Sequence, residues 1–147
     1  MLSKSQAKLF FLAGTIIFSL LFFGLSYDTV ANRVGEQTHE ENLTESAIRG
    51  RIIWDENNCM GCHTLLGEGA YYAPELTKVI ERRGGPYIKG VLMSKTPWGE
   101  HTSGRKMVAY GLTSEEADDV VAFLTWIGEM DLNGFPAKPT YKVEKIK

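Results

Sequence analysis

NNCMGCH, residues 57–63, sets Cys59 and Cys62 three positions apart and puts His63 directly after the second thiol. A Cys-x-x-Cys-His run reads as a c-type haem attachment site. Each sulfur can add across a haem vinyl group, and the short spacing lets both reach one porphyrin edge. His63 then stands ready to offer its imidazole to the iron as proximal ligand. A disulfide between the two cysteines would leave His63 without a role. A thioredoxin-like pair should adjoin a βαβ pattern, which is missing. A structural zinc site wants four ligands, whereas the chain has 2 cysteines, and His39 and His101 lack finger spacing. The expectation is one covalent haem c on Cys59 and Cys62, with His63 on its iron.

The 147 residues suffice for one domain of about 100 residues and an appendage. A domain that small buries only part of its surface, so a haem at its centre would supply much of the core. The net charge of −2 is too close to neutral to suggest nucleic acid or a polybasic grip on a membrane. Covalent haem attachment implies a compartment with dedicated thiol handling, which in bacteria is the periplasm.

Upstream, residues 9–27 read LFFLAGTIIFSLLFFGLSY, without a charge and close to the length a helix needs to cross a bilayer. Only helices and closed barrels satisfy backbone groups in lipid, and period-2 alternation is absent, so a single transmembrane helix is expected. The run exceeds the apolar core of a cleaved signal, and neither Ser26-Tyr27-Asp28 nor Thr29-Val30-Ala31 makes a good cleavage site. Lys4 and Lys8 precede it, while Asp28, Glu36, Glu40 and Glu41 follow. Basic flanks stay in the cytoplasm, so residues 1–8 are expected inside and the bulk of the chain outside. Residues 28–41, polar and short of aliphatics, read as a stalk, with His39 a solvated linker residue.

A domain is expected over residues 42–131. Asn42, with Glu45 as capping-box partner, should start a helix whose buried face carries Leu43, Ala47, Gly50 and Trp54. After His63 comes TLLGEGAYYA. Leu65, Leu66, Tyr71 and Tyr72 exceed what a haem can hide, so part of this loop should be an exposed patch for a partner. Gly67 and Gly69 allow tight turns there. Pro74 offers its carbonyl to the second ring nitrogen of His63, which would fix the tautomer. Short helices are expected over residues 75–83 and 87–93, then a loop to Tyr110. That loop must deliver a distal ligand from Met93, His101 or Met107. Met107 is favoured, since it lies just before the last helix in a loop free to fold across the haem. Thr113-Ser114-Glu115-Glu116 is a capping box opening that helix, which runs to about Met130 and should pack near Gly50. The helix dipole accounts for the acidic residues at its start. Lys78, Arg82, Arg83, Lys89, Lys95, Arg105 and Lys106 make residues 78–106 basic, either to dock an anionic partner, to pair with haem propionates, or as a plain solvated face. Residues 132–147 read as a tail.

The capped helix, the haem motif, Pro74, the late Met107 and the terminal amphipathic helix together resemble a class I cytochrome c, an all-α domain. CHTLLGEGAYYAPEL from Cys62 to Leu76, the N-terminal anchor and GRKM from Gly104 to Met107 resemble more closely the cytochrome c subunit of bacterial nitric oxide reductase. That resemblance implies an electron-transfer subunit with no active site of its own, anchored once in the inner membrane with its haem domain in the periplasm. It implies a heterodimer with a large haem b-containing catalytic subunit that turns nitric oxide into nitrous oxide in denitrification. A soluble periplasmic cytochrome c or cupredoxin would be the donor. Carried over, Cys59 and Cys62 attach the haem, His63 and Met107 are axial ligands, and Gly69 and Tyr71 help complete a calcium site where the two proteins meet. Family members often carry Pro after the ligand Met, where this chain has Val108.

Overall fold

The computed structural model describes residues 3–99 and 104–135. The chain divides into two compact units, Met1–Gln37 and Thr38–Lys147. In the first, helix α1 (Lys4–Thr29) opens on a capping box. Ser3 Oγ accepts from the Gln6 N–H, and the Gln6 side chain accepts from the Ser3 N–H at 2.9 Å. The stretch read as a stalk continues the helix. A π-helical segment (Val30–Val34) and α2 (Gly35–Thr38) carry it on, with Asn32 bonded to Asp28 one turn back at 2.8 Å. One helix over Lys4–Thr38 is therefore long and apolar enough to cross a membrane, and its most apolar window buries nothing.

In the second unit α3 (Glu45–Glu56) starts two residues later than the sequence suggests. Its N-cap is Thr44, whose hydroxyl accepts from the Ala47 N–H at 3.1 Å. Asn42 instead donates its side-chain amide to Glu129 at 3.0 Å, and Glu40–Asn42 forms a 3₁₀ turn. Ala47, Gly50 and Trp54 make the buried face, as expected from their spacing, whereas Leu43 is only half-buried. Helix α6 (Ser114–Glu129) has the full capping box of Thr113 and Glu116 and buries Ala117, Val120, Phe123, Leu124 and Ile127. It lies against α3 so closely at Gly50 that a Cβ there would collide with the Asp119 carbonyl.

The helix dipole accounts for Glu115 and Glu116, but not for their acidic neighbours. Asp119 is buried and accepts from Arg49 at 2.7 and 2.8 Å and from Ser46 at 2.6 Å, joining α3 to α6. Asp118 pairs with Lys89 at 2.7 Å.

Between these helices lie α4 (Val79–Arg83) and α5 (Gly85–Leu92), divided by Gly84 at φ +82°. The helix expected from residue 75 begins only at Val79, and the residues before it fold back on the loop instead. Leu76 donates to Thr64 O at 2.9 Å, and Thr77 to the Glu75 carboxylate at 2.6 Å. Two short antiparallel ladders went unread in the sequence: β1 (Thr64–Leu65) with β2 (Glu68–Gly69), and β3 (Trp98–Gly99) with β4 (Lys106–Met107). The domain is otherwise helical, as expected. Of the tail, Leu132 packs on the core and Phe135 lies over Gly67; residues 136–147 fall outside the described ones.

Candidate functional site

The haem-motif turn is built from Asn58, at φ +49°, and the 3₁₀ segment Cys59–Gly61. The Cys59 carbonyl accepts from both the Cys62 and His63 N–H groups, at 3.2 and 2.9 Å, so the turn presents both thiols within one coil. Both are free; Cys59 is half-buried and Cys62 exposed. Burial, then the neighbouring Cys62 and Asp55, push the Cys59 thiol up to about 11, so it stays protonated at neutral pH.

The next dozen residues fold back onto the turn. Ala70 donates to Met60 O at 3.0 Å and Ala73 to Cys62 O at 2.8 Å. Leu66 and Gly67, at φ +54° and +83°, make the tight connection of the β1–β2 hairpin. Left-handed backbone is costly for leucine, and Leu66 is held there by its N–H bond to the Thr77 hydroxyl at 2.7 Å. Thr77 is completely buried, and nothing in the local sequence marked it. Within this frame His63 Nδ1 meets Pro74 O at 2.8 Å, as the sequence suggested. A carbonyl can only accept, so the neutral ring carries its proton on Nδ1 and leaves the Nε2 lone pair free for a metal. Burial pushes the imidazole pKa down, opposed by the Pro74 bond. A neutral imidazole with one nitrogen committed is what iron ligation requires.

The other expected residues divide. Met107 lies in β4, half-buried, and packs on the same hydrophobic core as Cys59 and Met60. Met93 ends α5 at 38% exposure, and His101 lies outside the described residues. The loop patch splits as expected: Leu65 is buried, while Tyr71 and Tyr72 are 81% and 48% exposed. Gly69 and Tyr71 sit on this exposed side. The described residues hold no cluster of three carboxylates, histidines or cysteines fit for a metal, so a carbonyl and a phenol here fit calcium only as part of a cage completed elsewhere. His39 is not a plain linker residue: its carbonyl accepts from the Trp126 indole at 3.2 Å.

The sequence reading missed two residues around the turn. Tyr110 donates its hydroxyl to Asn57 O at 3.2 Å, tying the segment after Met107 to the end of α3, two residues before the motif. Arg105 donates to Tyr72 O at 2.9 Å, tying the strand of Met107 to the exposed loop.

Comparison with known proteins bears on the same residues. The Cytochrome c family model matches residues 47–128. The C subunit of nitric oxide reductase from Stutzerimonas stutzeri is 40% identical over 139 residues, covering 91% of this chain and 93% of that protein. Its counterparts from Halomonas halodenitrificans (38% identical, 94% and 96% covered) and Paracoccus denitrificans (36%, 92% and 94%) are also similar. The chain belongs to the family of nitric oxide reductase C subunits. Its cytochrome c domain implies a covalently bound haem c. Cys59, Cys62, His63 and Met107 all fall inside the matched span, and the free thiols and the free Nε2 fit such a group.

Proposed function

We propose that this chain is the electron-transfer subunit of a nitric oxide reductase. It takes electrons from a soluble periplasmic cytochrome c or cupredoxin and passes them to a haem b-containing catalytic subunit that reduces nitric oxide to nitrous oxide. In this reading Cys59 and Cys62 would hold the haem, and His63 Nε2 and the Met107 sulfur would ligate its iron. When bound, the haem supplies one-electron redox chemistry at a potential raised by methionine ligation. The chain's own groups do the rest. Pro74 O orients His63 and keeps it neutral. The stitched loop from Thr64 to Leu76 keeps that carbonyl in position. Gly69 and Tyr71 join a calcium site completed by the catalytic subunit, which gives the exposed tyrosines a partner. With both of those ligands engaged the chain would carry electrons and have no catalytic site of its own. The N-terminal helix anchors it in the inner membrane, N-terminus in the cytoplasm and domain in the periplasm.

The observation that carries the reading is the 2.8 Å pairing of His63 with Pro74 directly beside two free thiols. In the purified complex, colour should survive denaturation and an acid–acetone wash. The ferric spectrum should show a methionine-to-iron charge-transfer band, and Met107→Ala should abolish it. A surviving band would assign the distal ligand elsewhere. Carbon monoxide binding to the reduced wild type would indicate a sensor, and purification without a haem b protein would indicate a free shuttle. Nitric oxide turnover by this subunit alone would refute the non-catalytic role.

A further inference from the structure

The β3–β4 ladder joins Met107 to Trp98, and both strands belong to the one segment between α5 and α6. The ladder therefore shapes that segment and leaves its hold on the haem-motif turn to other contacts. Two hydrogen bonds from side chains to carbonyls make the crossing, one on each side of Met107. Before it in the chain, Arg105 donates to Tyr72 O at 2.9 Å. After it, Tyr110 donates to Asn57 O at 3.2 Å. The two differ in how well water could replace them. The Arg105 bond is exposed, so solvent can serve either partner. The Tyr110 bond is partly buried, and its acceptor is the C-cap residue of α3. A helix leaves its last carbonyls without partners of its own. Asn57 gives both its N–H and its side-chain amide to the Ile53 carbonyl, at 3.1 and 2.8 Å, which leaves its own carbonyl for the far segment to satisfy. Asn58 follows at φ +49° and opens the turn that carries Cys59 and Cys62.

We propose that Tyr110 is a positioning residue for the distal ligand: its hydroxyl clasps the Met107 segment to the start of the haem-motif turn and so keeps the methionine sulfur on the iron. The inference rests on the assignment of Met107 as axial ligand made above. Tyr110 acts through the few residues of backbone that join it to Met107. When the segment is closed, the Asn57 carbonyl is shielded from water and the tyrosine hydroxyl is its partner. When the segment swings away, water can reach that carbonyl and replace the bond. Without the hydroxyl, the closed arrangement alone leaves a shielded acceptor unpaired, so the balance moves towards opening. One hydrogen bond of this kind shifts such a balance about three- to tenfold. A relay depends on that balance, because methionine ligation both raises the potential and occupies the position that a small molecule would otherwise take.

The test uses the full-length holoprotein in its complex with the catalytic subunit, and the probe is imidazole. Imidazole can take the distal position of the ferric iron only where the methionine has left it. Bleaching of the methionine-to-iron charge-transfer band during a titration therefore reads how readily the segment opens. Tyr110→Phe removes one oxygen and keeps the ring, so the packing around it is retained. It should reach half-bleaching at an imidazole concentration about three- to tenfold below that of the wild type. Ser46→Ala controls for loss of stability alone, since it deletes a partly buried bond to Asp119 at the α3–α6 crossing. That variant should bleach at the wild-type concentration. A wild-type titration curve for Tyr110→Phe would overturn the clasp, and so would an equal drop in Ser46→Ala. A band that survives Met107→Ala would overturn the ligand assignment and the clasp with it, a failure seen before Tyr110 is altered.

Discussion

At φ +114° Gly69 occupies backbone that L-residues rarely adopt, and a Cβ there would strike the carbonyl oxygen of His63. The position is thus fixed by the histidine's own backbone, whatever Gly69 contributes to calcium. Gly69→Ala should cost about 1–3 kcal/mol from strain and should push the hairpin off the motif. Gly104→Ala is the natural control: its φ is +68° but no described residue lies within reach of a Cβ there, so it should cost about 1 kcal/mol. Thermal unfolding of the holoprotein and haem content per chain would compare the two. Equal losses would show that His63 O is not what Gly69 must avoid. At this scale the sequence was partly legible. The two thiols, His63 and Pro74 declared themselves through spacing, because each is needed at a fixed distance along the chain. Thr77 did not, because its one hydrogen bond to Leu66 depends on a hairpin that only the fold creates.

Helix α6 was readable from Thr113 to about its end because a capping box and a helical run of apolar residues carry their signal within sixteen positions, although spacing pointed Val121 inward and it is Phe123 that is buried. The cap of α3 was not, since Asn42 and Thr44 are both good cap residues and the choice falls to Glu129, which claims the Asn42 amide from across the domain. The ladders Thr64–Leu65 with Glu68–Gly69 and Trp98–Gly99 with Lys106–Met107 are too short to show a period of two. The α3–α6 crossing adds a charge that patterning alone misassigned. Hydrogen bonds from Arg49 and then Ser46 hold the Asp119 carboxyl below the usual carboxylate range. A carboxylate depressed in the folded state stabilises it at pH values above its unfolded value near 4, and that contribution disappears as pH falls through the lower folded value. Asp119→Asn should therefore be less stable than wild type at pH 7, with the gap closing as the pH drops from about 5 towards 3. Urea midpoints at pH 7, 5 and 3 measure this. A gap unchanged at pH 3 would mean that packing, not charge, holds the crossing.

The two units of the molecule obey opposite solvation rules. In residues 38–135 the large apolar side chains that face inward converge on one core around Phe123 and Leu124. In the helix from Lys4 to Thr38, side chains such as Phe10, Phe18, Leu20 and Phe23 are each about two-thirds exposed or more. Each is worth about 2 kcal/mol when taken out of water, so an aqueous helix of this composition would be strongly disfavoured. A bilayer would supply the missing burial over the uncharged run, and a helix satisfies its own backbone there. This much was open to the sequence, because length and the absence of charge need no tertiary context. Orientation is a finer matter: Lys4 and Lys8 stand before the apolar run and Arg33 alone within the first turns after it. An excess of basic residues on the N-terminal side is the pattern that would keep that end in the cytoplasm and send the domain outward, as proposed above. The full chain should therefore stay with membranes through an alkaline carbonate wash. Protease added to intact spheroplasts should remove the haem-staining domain without lysis. Digestion only after lysis would reverse the orientation, and release by carbonate would show that the helix does not span the bilayer.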